Sequence, residues 1–188
     1  MTMMQNAFAN TSSSILGSKM QGNIVDILMP PLNSNEIIFS YVSAAIIRSI
    51  LVGFVTWLFI YPFSELFLFS LSILFIYTIL GSILLALLGL IAGIWSEKFD
   101  NMSGITNFIV TPLTFLSGTF YSIDRLPQFW HFLANWNPFF YMIDGFRYGF
   151  IGYSDSNLNF GIIILGVANI FFLFITIYIF KKGYGLRN

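Results

Sequence analysis

Asp144 and Arg147 are three residues apart in the stretch NWNPFFYMIDGFRYGF, Asn135 to Phe150, where seven of sixteen residues are aromatic. On a helix, side chains at i and i+3 meet, so an acid and a base at this spacing can pair. Other groups able to do chemistry are few. His131 is the single histidine; it stands beside Trp130, with no Asp or Glu at metal-ligand spacing, which favours an interfacial side chain over a ligand or a base. The serines of NTSSS, 10–14, have no basic neighbour, and nothing matches a nucleophile elbow. With no cysteine, disulfides, thiol catalysis and cysteine-based metal sites are excluded. The Walker A pattern is absent; GSKMQGN, 17–23, comes nearest and fails it. The sequence therefore predicts no enzyme, no metal and no cofactor of its own, and any ATP-driven work would draw on a nucleotide bound by another subunit.

Composition says where such a chain lives. Apolar residues make up 57% of it and charged residues 9%, against about 25% charged in a soluble domain. That is too little charge to cover a water-facing surface, so the chain reads as an integral membrane protein with the lipid bilayer as its partner. Eight basic residues balance eight acidic ones without a basic patch, which excludes nucleic acid. The opening MTMMQNAFANTSSSILGSK carries no basic region ahead of its apolar part and is not a secretory signal.

The expected fold is an all-α integral membrane protein. Four segments have the length and apolarity of full spans, roughly 41–60, 66–95, 104–121 and 158–180. Pro112 lies inside the third and predicts a kink. Orientation follows from the basic residues. A cytoplasmic C-terminus puts Lys19, Lys98, Lys181, Lys182 and Arg187 inside and leaves Arg125 and Arg147 outside, as the positive-inside rule prefers. Arg48 is ambiguous by this rule; it lies in the inner half of the first span and could snorkel to the cytoplasmic surface. Within the spans, Asn169 suits a polar helix–helix contact by default, with substrate contact as the second option, and Gly81, Gly89 and Gly93, including the GxxxG match GLIAG at 89–93, suit close packing.

Three pieces connect the spans. In 19–36, Ile24, Ile27 and Leu28 share one face of a short amphipathic helix that Pro30 and Pro31 would end, and Asn33 with Glu36 resembles a capping box opening the next helix. The second is the loop around Lys98. The third, 122–157, is too aromatic for a solvated loop. Asn137 is a good N-cap and Pro127 and Pro138 suit first turns, which predicts two short outer helices, about 127–134 and 138–151, dipping into the outer leaflet. Trp130, Trp136, Tyr141 and Tyr148 fit an interfacial aromatic belt. In that setting the Asp144–Arg147 pair has two readings: a self-neutralised pair that lets the second helix sit at the surface, or, with Tyr148, a gate latching the outer mouth of a translocation path.

The run FDNMSGITNFIVTPLTFLSGTFYSIDRLPQFWHFLANWNPFFYMIDGFRYGFIG, Phe99 to Gly152, with the preceding NAFANTSSSILGSKMQGNIVDILMPPLNSNEIIFSYV and the ending GYGLR, resembles the permease subunit of bacterial ABC-2 type transporters. The resemblance covers essentially the whole chain, 1–188, as one transmembrane permease domain. It implies a homodimer of permeases with two cytoplasmic ATP-binding subunits, exporting a drug, lipid or glycan across the bacterial cytoplasmic membrane. It also implies that the segment Gly22, Asn23, Ile24, Val25, Asp26, Ile27 and Leu28 meets the ATPase, and that 122–152 holds the family's outer re-entrant helices. Family members have six spans, so the resemblance places the first residues inside the second, as a partial N-terminal span left to cross alone or to lie at the surface. A second reading of such a chain is a non-transporting membrane fragment with a structural or assembly role.

Overall fold

The computed structural model describes residues 2–24, 32–63, 68–118 and 136–183. All regular structure among them is helical: α1 (Thr2–Met20), α2 (Ser34–Ile60), α3 (Leu71–Trp95), α4 (Phe99–Ile105), α5 (Thr111–Phe115), α6 (Pro138–Ile151) and α7 (Leu158–Lys182). Three segments, Ser34–Phe63, Leu71–Trp95 and Leu158–Lys182, are long and apolar enough to cross a membrane. They match the first, second and fourth expected spans. The capping box expected of Asn33 and Glu36 opens α2, with the Glu36 carboxylate accepting from the Asn33 N–H at 2.8 Å.

The described part of the third expected span is a continuous helical run, 99–115, with a π turn in its middle. Pro112 has no N–H to donate, and its ring crowds the carbonyl one turn back. The chain answers with a π turn, Thr106–Val110, that joins α4 to α5. The Thr111 N–H reaches the Thr106 carbonyl instead of the residue four back, and its hydroxyl donates to the same oxygen at 2.9 Å. Helical structure then stops at Phe115 and turns at Gly118, φ +75°. The disturbance expected at Pro112 is therefore present, and residues 119–121 of the expected 104–121 span lie outside the described residues.

α3 is the centre of the bundle. Leu84, Leu85, Ala86, Leu87 and Leu90 are buried all round it, because other helices flank it on several sides. α1 runs parallel to it at very close range. A methyl group on Gly89 would lie 2.5 Å from the Phe8 carbonyl oxygen, and one on Gly93 would lie 2.7 Å from that of Ser12. Thr11 Oγ1 also donates across the interface to the Ala86 carbonyl at 3.1 Å. The GxxxG stretch is thus an intrachain seam of the small-residue kind. The N-terminal segment neither crosses alone nor lies at the surface; Met4, Ala7, Phe8, Thr11, Ser12, Ile15 and Leu16 form its buried face.

α6 runs antiparallel to the first half of α3. Gly145 gives room for the Tyr77 ring, and the Ser70 N–H donates to the Gly149 carbonyl at 3.0 Å. α7 lies parallel to α3, held by Tyr77 Oη to the Leu158 carbonyl at 2.6 Å and Asn169 Nδ2 to the Leu80 carbonyl at 3.1 Å. The polar contact expected of Asn169 is therefore present. At the far end of α3, Ile15, Ile24, Ile37, Ile38, Ile94 and Phe180 pack as one cluster. Lys19 closes that end: its Nζ donates to the carbonyls of Ile94 at 2.6 Å and Ser96 at 2.9 Å, capping the C-terminus of α3 where a cation is favoured.

Candidate functional site at the α6–α7 turn

The site is built by two helix ends and the turn between them. Asn137 caps α6 as expected, accepting from the Phe139 N–H at 3.0 Å, with Pro138 in the first turn. Its Nδ2 donates to the Leu113 carbonyl at 2.9 Å, so the start of α6 is tied to the end of α5. At the other end Gly152, φ +73°, takes the left-handed conformation that stops α6. The chain then folds back over the last turns of the helix before Asn157 caps α7, accepting from the Asn159 N–H at 3.0 Å.

Asp144 is what the turn folds onto. Its Oδ1 accepts from Arg147 Nη2 at 2.8 Å and the Asp155 N–H at 2.9 Å. Its Oδ2 accepts from Ser154 Oγ at 2.6 Å, Ser156 Oγ at 2.8 Å and the Ser156 N–H at 3.2 Å. Arg147 Nη2 reaches a second carboxylate, Asp155 Oδ2, at 2.6 Å. The carboxylate side chains are 1% and 2% exposed and the Arg147 side chain 26%, which makes this a largely buried triad and not a surface pair. The Arg147 guanidinium also lies over the Tyr153 ring at 5.9 Å. Burial works against its charge, but the hydrogen bond and charge of Asp155, with those of Asp144, outweigh burial and hold its pKa above the ordinary value.

The structure thus brings Asp144 and Arg147 together as the i, i+3 spacing predicts. Tyr148 packs edge-on against Phe69, with ring centroids 5.4 Å apart, and ties the end of α6 to the approach of α3. Sequence reasoning missed Asp155, Ser154 and Ser156. The signal for them was YSDSN, 153–157, a run of short hydrogen-bonding residues directly after the helix-stopping Gly152. Tyr141 is corrected from the aromatic belt to the interior: it is buried, with its ring against Phe140 and Phe160. Trp136 is exposed, as a belt residue would be. Trp130, His131 and the first short outer helix, 127–134, lie outside the described residues.

At the opposite end of α3 lies the segment expected to meet an ATPase. Gly22, φ +76°, ends α1, and Gln21, Gly22 and Asn23 are exposed. Ile24 turns inward and belongs to the cluster under Lys19. Val25, Asp26, Ile27 and Leu28 lie outside the described residues. Arg48 reaches across to α1, where its Nη1 donates to Asn10 Oδ1. Between α3, α5 and the start of α6 there is a cavity of about 560 Å³, walled by Leu88, Ile91, Ile109, Leu113 and Phe139.

Helices of spanning length, one helix with a π turn and the half-length α6 pinned at the turn that follows it define a multi-pass, all-α membrane protein. The chain belongs to the ABC-2 type transporter family, whose membrane domain matches residues 1–151. It is 37% identical over 193 aligned positions to the inner membrane transport permease YadH of Escherichia coli strain K12, covering 100% of this chain and 73% of that protein. The same identity and coverage hold for the proteins of that name in Escherichia coli O157:H7 and Shigella flexneri. It is therefore a transport permease of the inner membrane.

Proposed function

We propose that this chain is the membrane subunit of an ATP-driven exporter that moves a drug, lipid or glycan across the cytoplasmic membrane. ATP would be hydrolysed by a separate cytoplasmic subunit, with two permeases forming the path and the C-terminus in the cytoplasm. The observation that carries this reading is the buried Asp144–Arg147–Asp155 triad, set at the end of α3 opposite to Lys19, Ile94 and Ser96. Charges in a membrane protein are retained where they do work, and a buried polar latch suits a gate. Asp144, Arg147 and Tyr148 form the outer gate in this reading. Gly22–Leu28 form the ATPase contact, with the exposed Gln21–Asn23 as its accessible part.

Reconstitution tests it. The chain, with its ATP-binding subunit, is placed in liposomes loaded with fluorescent amphiphiles. ATP-dependent movement that requires both subunits supports the reading. No movement with any amphiphile, from a complex that hydrolyses ATP, contradicts it. The chain alone should neither bind nor hydrolyse ATP.

A further inference from the structure

Arg48 stands inside a span. The helix climbs about 10 Å between Tyr41 and Arg48, at 1.5 Å per residue. Arg48 lies midway along Ser34–Phe63, and its guanidinium donates to Asn10, which is itself about 13 Å along α1 from Lys19. No carboxylate pairs with Arg48 among the described residues. A guanidinium has five donors, and one amide oxygen uses only part of them. The side chain is exposed, on the flank where α1 presents Asn10, Ser13 and the exposed Ser14. Beyond Ser14, Gly17 opens onto empty space. On the α2 side the surroundings are apolar, with Ile47, Leu51 and Val55 exposed.

A fixed cation beside an amide, at hydrocarbon depth and open to the outside of the bundle, selects its ligand twice over. The charge selects an anionic group. The apolar surroundings and the depth select a molecule that partitions into the bilayer, which a free inorganic anion does not. We propose that Arg48 and Asn10 form a binding point for the phosphate headgroup of an anionic amphiphile whose acyl chains lie along Ile47, Leu51 and Val55. This deepens the exporter reading, on which only the transport arm of the test rests, by naming a substrate class. The same headgroup chemistry has two sources, a transported substrate and a resident anionic lipid.

The test separates binding from transport. The purified chain is titrated with fluorescent phosphatidylglycerol and fluorescent phosphatidylcholine in neutral-lipid nanodiscs. Wild type should prefer phosphatidylglycerol; Arg48→Gln, which keeps an amide for Asn10, should lose that preference about tenfold, the loss expected for a hydrogen bond to a charged group. Arg48→Lys should recover most of it. Asn10→Ala, which leaves the cation in place, should weaken it less. Equal binding of both lipids by wild type overturns the proposal, as does an unchanged preference in Arg48→Gln. Loss of preference together with loss of a co-purifying subunit also overturns it, because the guanidinium then belongs to a protein contact. If Arg48→Gln does not fold, Arg48→Lys and Asn10→Ala decide by the same preference. In the full complex, ATP-dependent flipping of the bound phosphatidylglycerol identifies a substrate, and retention identifies a resident lipid. Binding is read without ATP, so its failure is distinct from failure of the exporter reading.

Discussion

Thr11 of α1 stands where a methyl group on Gly89 of α3 would have to go, and the Phe8 carbonyl lies 2.5 Å from the same point. The backbones of the two helices therefore meet at the only separation that a residue without a side chain permits. α1 owes its place in the bundle to this, since its sequence is rich in Asn, Thr and Ser and makes a poor span by apolarity alone.

Gly89→Ala and Gly93→Ala should each destabilise the fold. A single added carbon in a packed interface costs about 1–3 kcal/mol, and here it meets main-chain atoms that cannot rotate away. Unfolding of the purified chain in mixed micelles measures this. Gly166→Ala is the control, because a methyl group there meets nothing within 4 Å. It should leave stability unchanged or raise it by up to about 1 kcal/mol through helix propensity. Equal effects at Gly89 and Gly166 would refute the seam.

Lys19→Met should loosen the end of α3 while leaving the seam intact. The ammonium caps two carbonyls, and hydrogen bonds from a charged group contribute about 1.5–3 kcal/mol when well buried. This one is only partly buried, so a loss of about 1 kcal/mol is expected. Hydrogen exchange reads it directly: amides near Ser96 should exchange faster in the variant, and those around Gly81 should not change.

The segment after α1 makes a split prediction. Ile24 is buried in the cluster with Ile15, Ile94 and Phe180, so Ile24→Asp should reduce the yield of folded permease whether or not an ATPase is present. Gln21→Trp and Asn23→Trp change exposed positions and should leave folding intact. If the ATPase docks there, these two variants should fail to co-purify with it. Normal co-purification of both would move the contact, with the turn at Lys98 as the next place to look.

The sequence carried the helices that rely on their own apolarity. α2, α3 and α7 are legible from their runs, and α6 from Asn137 and Pro138, because caps and hydrophobic length are local signals. What it did not carry depends on contacts distant along the chain. The burial of Tyr141 depends on α7, and the fixing of Arg48 depends on Asn10, 38 positions away. The π turn in the third span was half legible: Pro112 announced a disturbance, but its type, a π turn or a kink, is not written in the proline itself. In the candidate site, the i, i+3 rule gave Asp144 and Arg147. It could not give Asp155, Ser154 or Ser156, which reach Asp144 only because Gly152 reverses the chain.

Those added partners change what substitution should do at the latch. All five groups on the Asp144 carboxylate are donors. Exchanging the charges, Asp144→Arg with Arg147→Asp, would set donors against donors, so the exchange should rescue little. Asp144→Asn should be the most damaging of the single neutral changes, because it removes a charge from a buried site and presents an N–H₂ to groups that also donate.

The most direct measurement is a double-mutant cycle on Arg147→Gln and Asp155→Asn, read as stability of the purified chain and as ATP-dependent transport by the complex. Removing one partner of a buried ion pair costs roughly 3–5 kcal/mol, whereas an exposed pair contributes about 0–1 kcal/mol. With both carboxylates almost fully buried, the two single variants should each be strongly impaired and the double variant hardly worse than either, a coupling of more than 1 kcal/mol that appears in transport as well as in stability. Additive effects of the two changes, or coupling in stability with transport untouched, would contradict a latch at the outer mouth.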